Sequence, residues 1–207
     1  MAEKLMEKSC IEFADALAAK VSVPGGGGAA AYVGALGVAL GSMTANFTTG
    51  KKKYAEHEED IQRILAEGDV IRAKLIDLVF ADAEAFEPLS KAYGIPKEDP
   101  TRDQVLEEAT VNALEAPMEM MRQIAKAIEL LEELKIKGSK MLISDVACGA
   151  VMSAAAMRAA ALNVFINTKS LQDRDLAAKL EAEADELLAF VPRAKVVADE
   201  ITDYIRG

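Results

Sequence analysis

The sequence predicts an all-α protein, an up-and-down bundle of about six long helices, on three observations. Alanine, leucine, glutamate and lysine fill the chain, tryptophan is absent and aromatics are only 5% of residues, which is a helix-forming composition. Apolar residues recur at steps of three and four, and no stretch shows the alternation of a half-buried strand. The breaks between periodic stretches are short and marked by glycine and proline, so successive long helices must turn back on one another. The 207 residues suffice for one core and read as a single domain, 1–207.

The elements run in order along the chain. Glu3 to Lys20 is amphipathic through Leu5, Met6, Ile11, Phe13 and Leu17. Val23-Pro24 and Gly25 to Gly28 read as a loop, since proline and four glycines start a helix only at a cost. Ala29 to about Thr48 is a second helix, stopped by Gly50. It lies in the charge-free stretch Val21 to Gly50, long enough to cross a bilayer. It is nevertheless so rich in glycine and alanine that it reads as a buried bundle helix. Tyr54 to Tyr93 forms the third helix, closed by Gly94 and Pro96. After the polar connection Lys97 to Thr101, a fourth reaches Lys137, with a kink expected at Pro117 and an end at Gly138. The fifth, Lys140 to Asn167, is nearly apolar all round and is expected to be buried. The last spans Leu171 to Ile205, with a kink expected at Pro192.

Charge narrows the function. Lysine plus arginine total 24 against 34 aspartate plus glutamate, a net charge of −10, the reverse of what nucleic-acid binding needs. The N-terminus, Met1-Ala2-Glu3-Lys4, runs into a charged helix without a signal-peptide core, so a soluble cytoplasmic protein with no membrane partner is expected. Cys10 and Cys148 stand far apart and read as buried small hydrophobes. His57, the single histidine, reads as surface, and no zinc spacing or catalytic triad is present, so no metal is expected.

The third helix breaks its own pattern. Its seam runs Ile61, Ile64, Gly68, Ile71, Leu75, Leu78, then Asp82, Ala85 and Leu89, placing a carboxylate at a core position. Such a group either caps or pairs within the bundle, or lines a cleft with an altered pKa. On the second helix Ala30, Gly34, Gly37, Gly41 and Ala45 form a stripe of small residues, which suits close helix packing or a flat ligand. Lys51, Lys52 and Lys53 are either a solvated helix start or a landing site for a polyanionic tail. On the fifth helix Asp145, Gly149, Met152, Ala156, Asn163 and Asn167 share a face. Asp145 and Asn163 lie about 27 Å apart along it, so they serve opposite ends of a long ligand or meet through a second subunit.

Several segments together resemble one family. They are Pro24-Gly25-Gly26-Gly27 before an alanine/glycine helix, Gly50-Lys51-Lys52-Lys53-Tyr54, Asp82-Ala83-Glu84-Ala85-Phe86 and Ile95-Pro96-Lys97. Ala116-Pro117, Ser144-Asp145 and Asn163-Val164-Phe165-Ile166-Asn167 complete the set, in order along nearly the whole chain. The sequence resembles the cyclodeaminase/cyclohydrolase family of tetrahydrofolate enzymes, which includes the C-terminal domain of formiminotransferase-cyclodeaminase. Ser139 departs from the asparagine usual there, so a ligand contact at that position is not carried over from the family.

The resemblance implies an all-helical homodimer that binds a tetrahydrofolate derivative, with or without a polyglutamate tail, near the subunit interface, with no cofactor beyond that substrate. It implies closure of 5-formiminotetrahydrofolate to 5,10-methenyltetrahydrofolate with loss of ammonia. Hydrolysis of the methenyl compound to 10-formyltetrahydrofolate is the runner-up, and a non-catalytic folate-binding protein the third reading. Asp82 is then the general acid/base or the electrostatic partner of the cation, and Asp145 a second candidate catalytic carboxylate, or one that holds the pterin or a helix N-terminus. Gly25, Gly26, Gly27, Lys51, Lys52, Tyr54, Phe86, Ser144, Asn163 and Asn167 are the implied substrate contacts.

Overall fold

The computed structural model describes residues 5–207, all of whose regular structure is helical. The helices are α1 (Cys10–Ala18), α2 (Gly26–Asn46), α3 (Glu58–Tyr93), α4 (Arg102–Lys137), α5 (Ile143–Thr168), α6 (Arg174–Leu188) and α7 (Phe190–Arg206). Short 3-10 turns occupy Leu5–Glu7, Lys52–His57 and Lys140–Leu142. α2 lies at the centre, packed on α3, α4 and α5, while α5 also packs on α4, α6 and α7.

The small-residue stripe of α2 is explained by packing. Ala30, Gly34, Gly37, Gly41 and Ala45 are all buried. A Cβ at Gly37 would lie 2.6 Å from Ser153 Oγ and 3.0 Å from the Gly149 carbonyl, and one at Gly149 would lie 2.8 Å from the Gly37 carbonyl. The two backbones therefore touch, and only glycine at both positions permits it. On the other flanks Ile124 presses on Gly34 and Leu131 on Gly41, each 3.1 Å from the missing Cβ. These contacts lock α2 at fixed depth among α3, α4 and α5.

Several boundaries differ from the sequence expectation. The part of the first helix that falls on residues 1–4 lies outside the described residues. Beyond it the chain makes a 3-10 turn and then α1, because Ser9 and Glu12 form a reciprocal capping box that starts a new helix. α2 begins at Gly26 rather than Ala29, so three of the four glycines form its first turn. α4 runs unbroken through Pro117, and α3 through Pro88. The last helix divides at Ala189 into α6 and α7; Pro192, lacking an N–H, cannot bond back to Leu188. Gly50 turns the chain with φ of +70°, a left-handed conformation that suits glycine, and its N–H donates to Glu58.

Two burial expectations are overturned. Cys10 and Cys148 are exposed, the first at the start of a surface helix and the second on the outer face of α5. That outer face also shows why α5 is not buried all round: Val151, Leu162 and Ile166 are 57%, 68% and 62% exposed. Both α2 and α5 have the length and hydropathy of a membrane span, but α2 buries most of its residues inside the bundle.

The close α2–α5 contact generates a prediction. Gly149→Ala should force the backbones apart and lower unfolding free energy by about 1–3 kcal/mol in a urea titration, the range for overpacked cores.

Candidate active site

Asp82 sits where α3 passes the start of α2. Gly25 is the N-cap of α2 and, having no side chain, offers no cap of its own. Asp82 supplies the acceptor from a different helix: its carboxylate takes the N–H of Gly28, the third residue of the first turn. Gly27 makes room for it, since a Cβ there would lie 2.3 Å from Asp82 Oδ1 and 2.6 Å from Cγ. The capping reading of Asp82 therefore holds, and the carboxylate is partly buried, with an altered pKa as the second reading expected. Burial pushes its pKa up to about 6, with the Gly28 N–H pulling the other way.

Asn163 joins this cluster from α5. Both atoms of its amide lie 3.7 Å from where a Gly26 Cβ would be, and Nδ2 donates to the Ala159 carbonyl at 2.8 Å. No hydrogen bond from the described residues engages its Oδ1. Asn167 comes one turn later and, like Asn163, is half-buried. Phe86, one turn beyond Asp82, packs on a small apolar cluster of Leu89, Ala92, Ala109 and Ala113.

The remaining expected residues form a second cluster at the other end of α2. Tyr54 Oη accepts the Lys140 N–H at 3.0 Å, and this bond, more than the Ser139 hydroxyl or the charges of Lys53 and Lys51, holds the phenol pKa below its usual value. Lys51 and Lys53 lie 6.0 and 5.6 Å from the rings of Phe47 and Tyr54, and with Lys52 they have no ion-pair partner among the described residues. Ser144, exposed, and Asp145, half-buried, lie in the first turn of α5, beside the end of α2 through a Thr44 hydroxyl that donates to the Leu142 carbonyl at 3.3 Å. Ser139 has a structural role, its N–H donating to Thr48 Oγ1 at 2.8 Å.

One chain therefore brings together Gly25, Gly26, Gly27, Asp82 and Asn163, with Phe86 and Asn167 a turn away. It separates them from Lys51, Lys52, Tyr54, Ser144 and Asp145. From Gly27 to Phe47 α2 rises about 30 Å, at roughly 1.5 Å per residue. Within one chain Asp145 cannot share a reacting atom with Asp82, so the two are not a catalytic pair there. Gly27, besides its expected place beside a ligand, makes room for the Asp82 carboxylate. Gly28, whose N–H holds Asp82, escapes the sequence reasoning; its place three residues after Gly25 is the available signal.

The formiminotransferase-cyclodeaminase family model matches residues 9–186. The chain belongs to that family. A methenyltetrahydrofolate cyclohydrolase from Methylorubrum extorquens is 40% identical over 181 residues, covering 86% of this chain and 87% of that protein. The formimidoyltransferase-cyclodeaminase of Sus scrofa is 30% identical across 99% of this chain, which spans only 38% of that longer protein. The crystal structure of formiminotetrahydrofolate cyclodeaminase from Thermotoga maritima superimposes with a TM-score of 0.84 at 33% identity, covering 96% of this chain and 99% of that one.

The raised pKa of Asp82 carries a stability signature. The folded protein holds this proton more tightly than the unfolded chain does, with a pKa of about 6. The ionised group therefore destabilises the fold above pH 6, by up to roughly 3 kcal/mol, and the penalty vanishes below about pH 4. Asp82→Asn should be more stable than the parent at pH 8, and thermal unfolding curves of the two should converge near pH 4.

Proposed function

We propose that this chain is a methenyltetrahydrofolate cyclohydrolase, interconverting 5,10-methenyl- and 10-formyltetrahydrofolate in the cytoplasm. The observation that carries this reading is Asp82, a carboxylate that titrates near neutrality at the start of α2. A general base near the working pH is half ionised and half protonated, so it can both take and return a proton. Asp82 takes a proton from water as the water oxygen attacks the bridging carbon of the methenyl cation. The tetrahedral adduct then breaks its bond to N5, which receives a proton, and one proton is released overall. Ionised Asp82 also favours the cation electrostatically. The free Asn163 Oδ1 is placed to accept a hydrogen bond from the pterin. Acid–base chemistry suffices for this reaction, and no cofactor beyond the folate enters it.

Support for putting hydrolysis ahead of deamination, the reverse of the sequence expectation, comes from the Methylorubrum enzyme. It is more similar to this chain than the porcine or Thermotoga protein and is matched over most of its length. Cyclodeamination is the second reading, favoured by the Thermotoga structure. The same Asp82 would then take the N10 proton as that nitrogen closes on the formimino carbon, and ammonia would leave.

The working unit in this proposal is a homodimer. Leu36 and Met43 of α2, Phe47 at its C-cap, and Val151, Leu162 and Ile166 of α5 are exposed apolar residues on the two central helices. Single exposed apolar residues are ordinary, and in this proposal these six form the face on which a second copy packs. If two copies pack antiparallel through this face, the partner's Lys51, Tyr54 and Asp145 approach this chain's Asp82. The lysines then receive the carboxylates of the folate tail, including a polyglutamate, without a span of about 30 Å.

The test follows methenyltetrahydrofolate absorbance with the purified protein. Enzyme-dependent decay is expected, falling about 100-fold or more in Asp82→Asn. The parent's kcat/KM should drop with unit slope below about pH 6, where Asp82 is protonated. Formation of the methenyl compound and ammonia from 5-formiminotetrahydrofolate, with no accelerated decay, would replace hydrolysis by cyclodeamination. No rate above background with either substrate would end the catalytic reading.

A further inference from the structure

A concavity lies away from Asp82, between α3 and α4. Asp82 and Gly68 turn toward α2, whereas Glu67, Val70 and Lys74 occupy the flank of α3 that faces outward beside α4. There the two helices enclose an open groove of about 690 Å³. That is within the few hundred to a thousand Å³ typical of small-molecule sites. Its floor is apolar, formed by Ala66, Val70, Ile71 and Leu130, and Val70 is 68% exposed.

Three cations, Arg63, Lys74 and Lys126, and three carboxylates, Glu67, Glu129 and Glu133, line the groove, and they differ in their pairing. Each lining carboxylate has a cationic partner: Glu67 pairs with Arg63, Glu133 with Arg63 and Lys137, and Glu129 with Arg193. Lys74 and Lys126, one on each wall, have neither an anionic nor a hydrogen-bonding partner among the described residues. They lie at the same level of the bundle, since their neighbours Leu75 and Ile124 both press on Gly34. Two ammonium groups without partners therefore flank the apolar floor, while every lining carboxylate is already paired.

We propose that this groove is a second binding site, for an organic anion with one acidic group and a flat or extended apolar body. The acid group bridges Lys74 and Lys126, and the body lies along Val70, Ile71 and Leu130. The long lysine stems cover part of the apolar surface while their heads converge on the anion. The assignment is independent of the folate chemistry at Asp82, because no groove residue belongs to that cluster.

The probe for the test is 1-anilinonaphthalene-8-sulfonate, which has a sulfonate on an aromatic body. It is titrated into the full chain by fluorescence and by backbone amide shifts. One saturable site per chain is expected, weakened by salt, with shifts concentrated at residues 66–74 and 123–133. Lys74→Met with Lys126→Met keeps the unbranched stems and should weaken binding about ten-fold or more. Val70→Asp should do likewise by placing a carboxylate in the floor. Equal affinity in both variants, shifts confined to the outer face of α2 and α5, or absence of saturable binding would each overturn the proposal.

Discussion

The meeting of the Asp82 carboxylate with the first turn of α2 is the constraint on which the rest of this structure turns. A run of glycines has little tendency to be helical, and Gly25 has no side chain with which to cap the helix it precedes. The carboxylate from α3 supplies the missing acceptor, and the absent Cβ of Gly27 leaves the space it occupies. Each partner explains the other: the glycines admit a buried acid, and the acid lets the glycines be a helix. An aspartate pushed up to about 6 in this way is a stability liability near neutral pH and a chemical asset.

The same packing that brings Asp82 to α2 keeps the basic cluster away. Backbone contact at Gly37 and Gly149 makes α2 and α5 one rigid antiparallel pair, so residues at its two ends cannot be drawn together by bending. Asn163 belongs to the Asp82 end and Asp145 to the lysine end. Action of both clusters on one substrate therefore needs either a long ligand or a second copy.

Much of the architecture is legible from periodicity alone. The α3 seam can be read residue by residue, and Asp82 stands out as its one carboxylate. What sequence does not show arises from tertiary contact. Propensity assigns Gly26 to Gly28 to a loop, because the acceptor that makes them helical comes from more than fifty residues away. The apolar surround of α5 suggests full burial, whereas one chain has enough neighbours to cover only part of it. A shared helix face groups Asp145 with Asn163 but ignores position along the axis. Glycine likewise signals close approach without saying what approaches, and at Gly27 one neighbour is the Asp82 carboxylate.

Asp82 is held partly desolvated against α2, poised between its two protonation states near neutral pH, and everything proposed for the chemistry rests on that. A carbon-13 NMR titration of its side-chain carboxyl in the intact protein measures this directly. The predicted midpoint is at about 6. A midpoint near the ordinary aspartate value of about 3.9 would contradict it, showing a solvated carboxylate with no preset role in proton transfer.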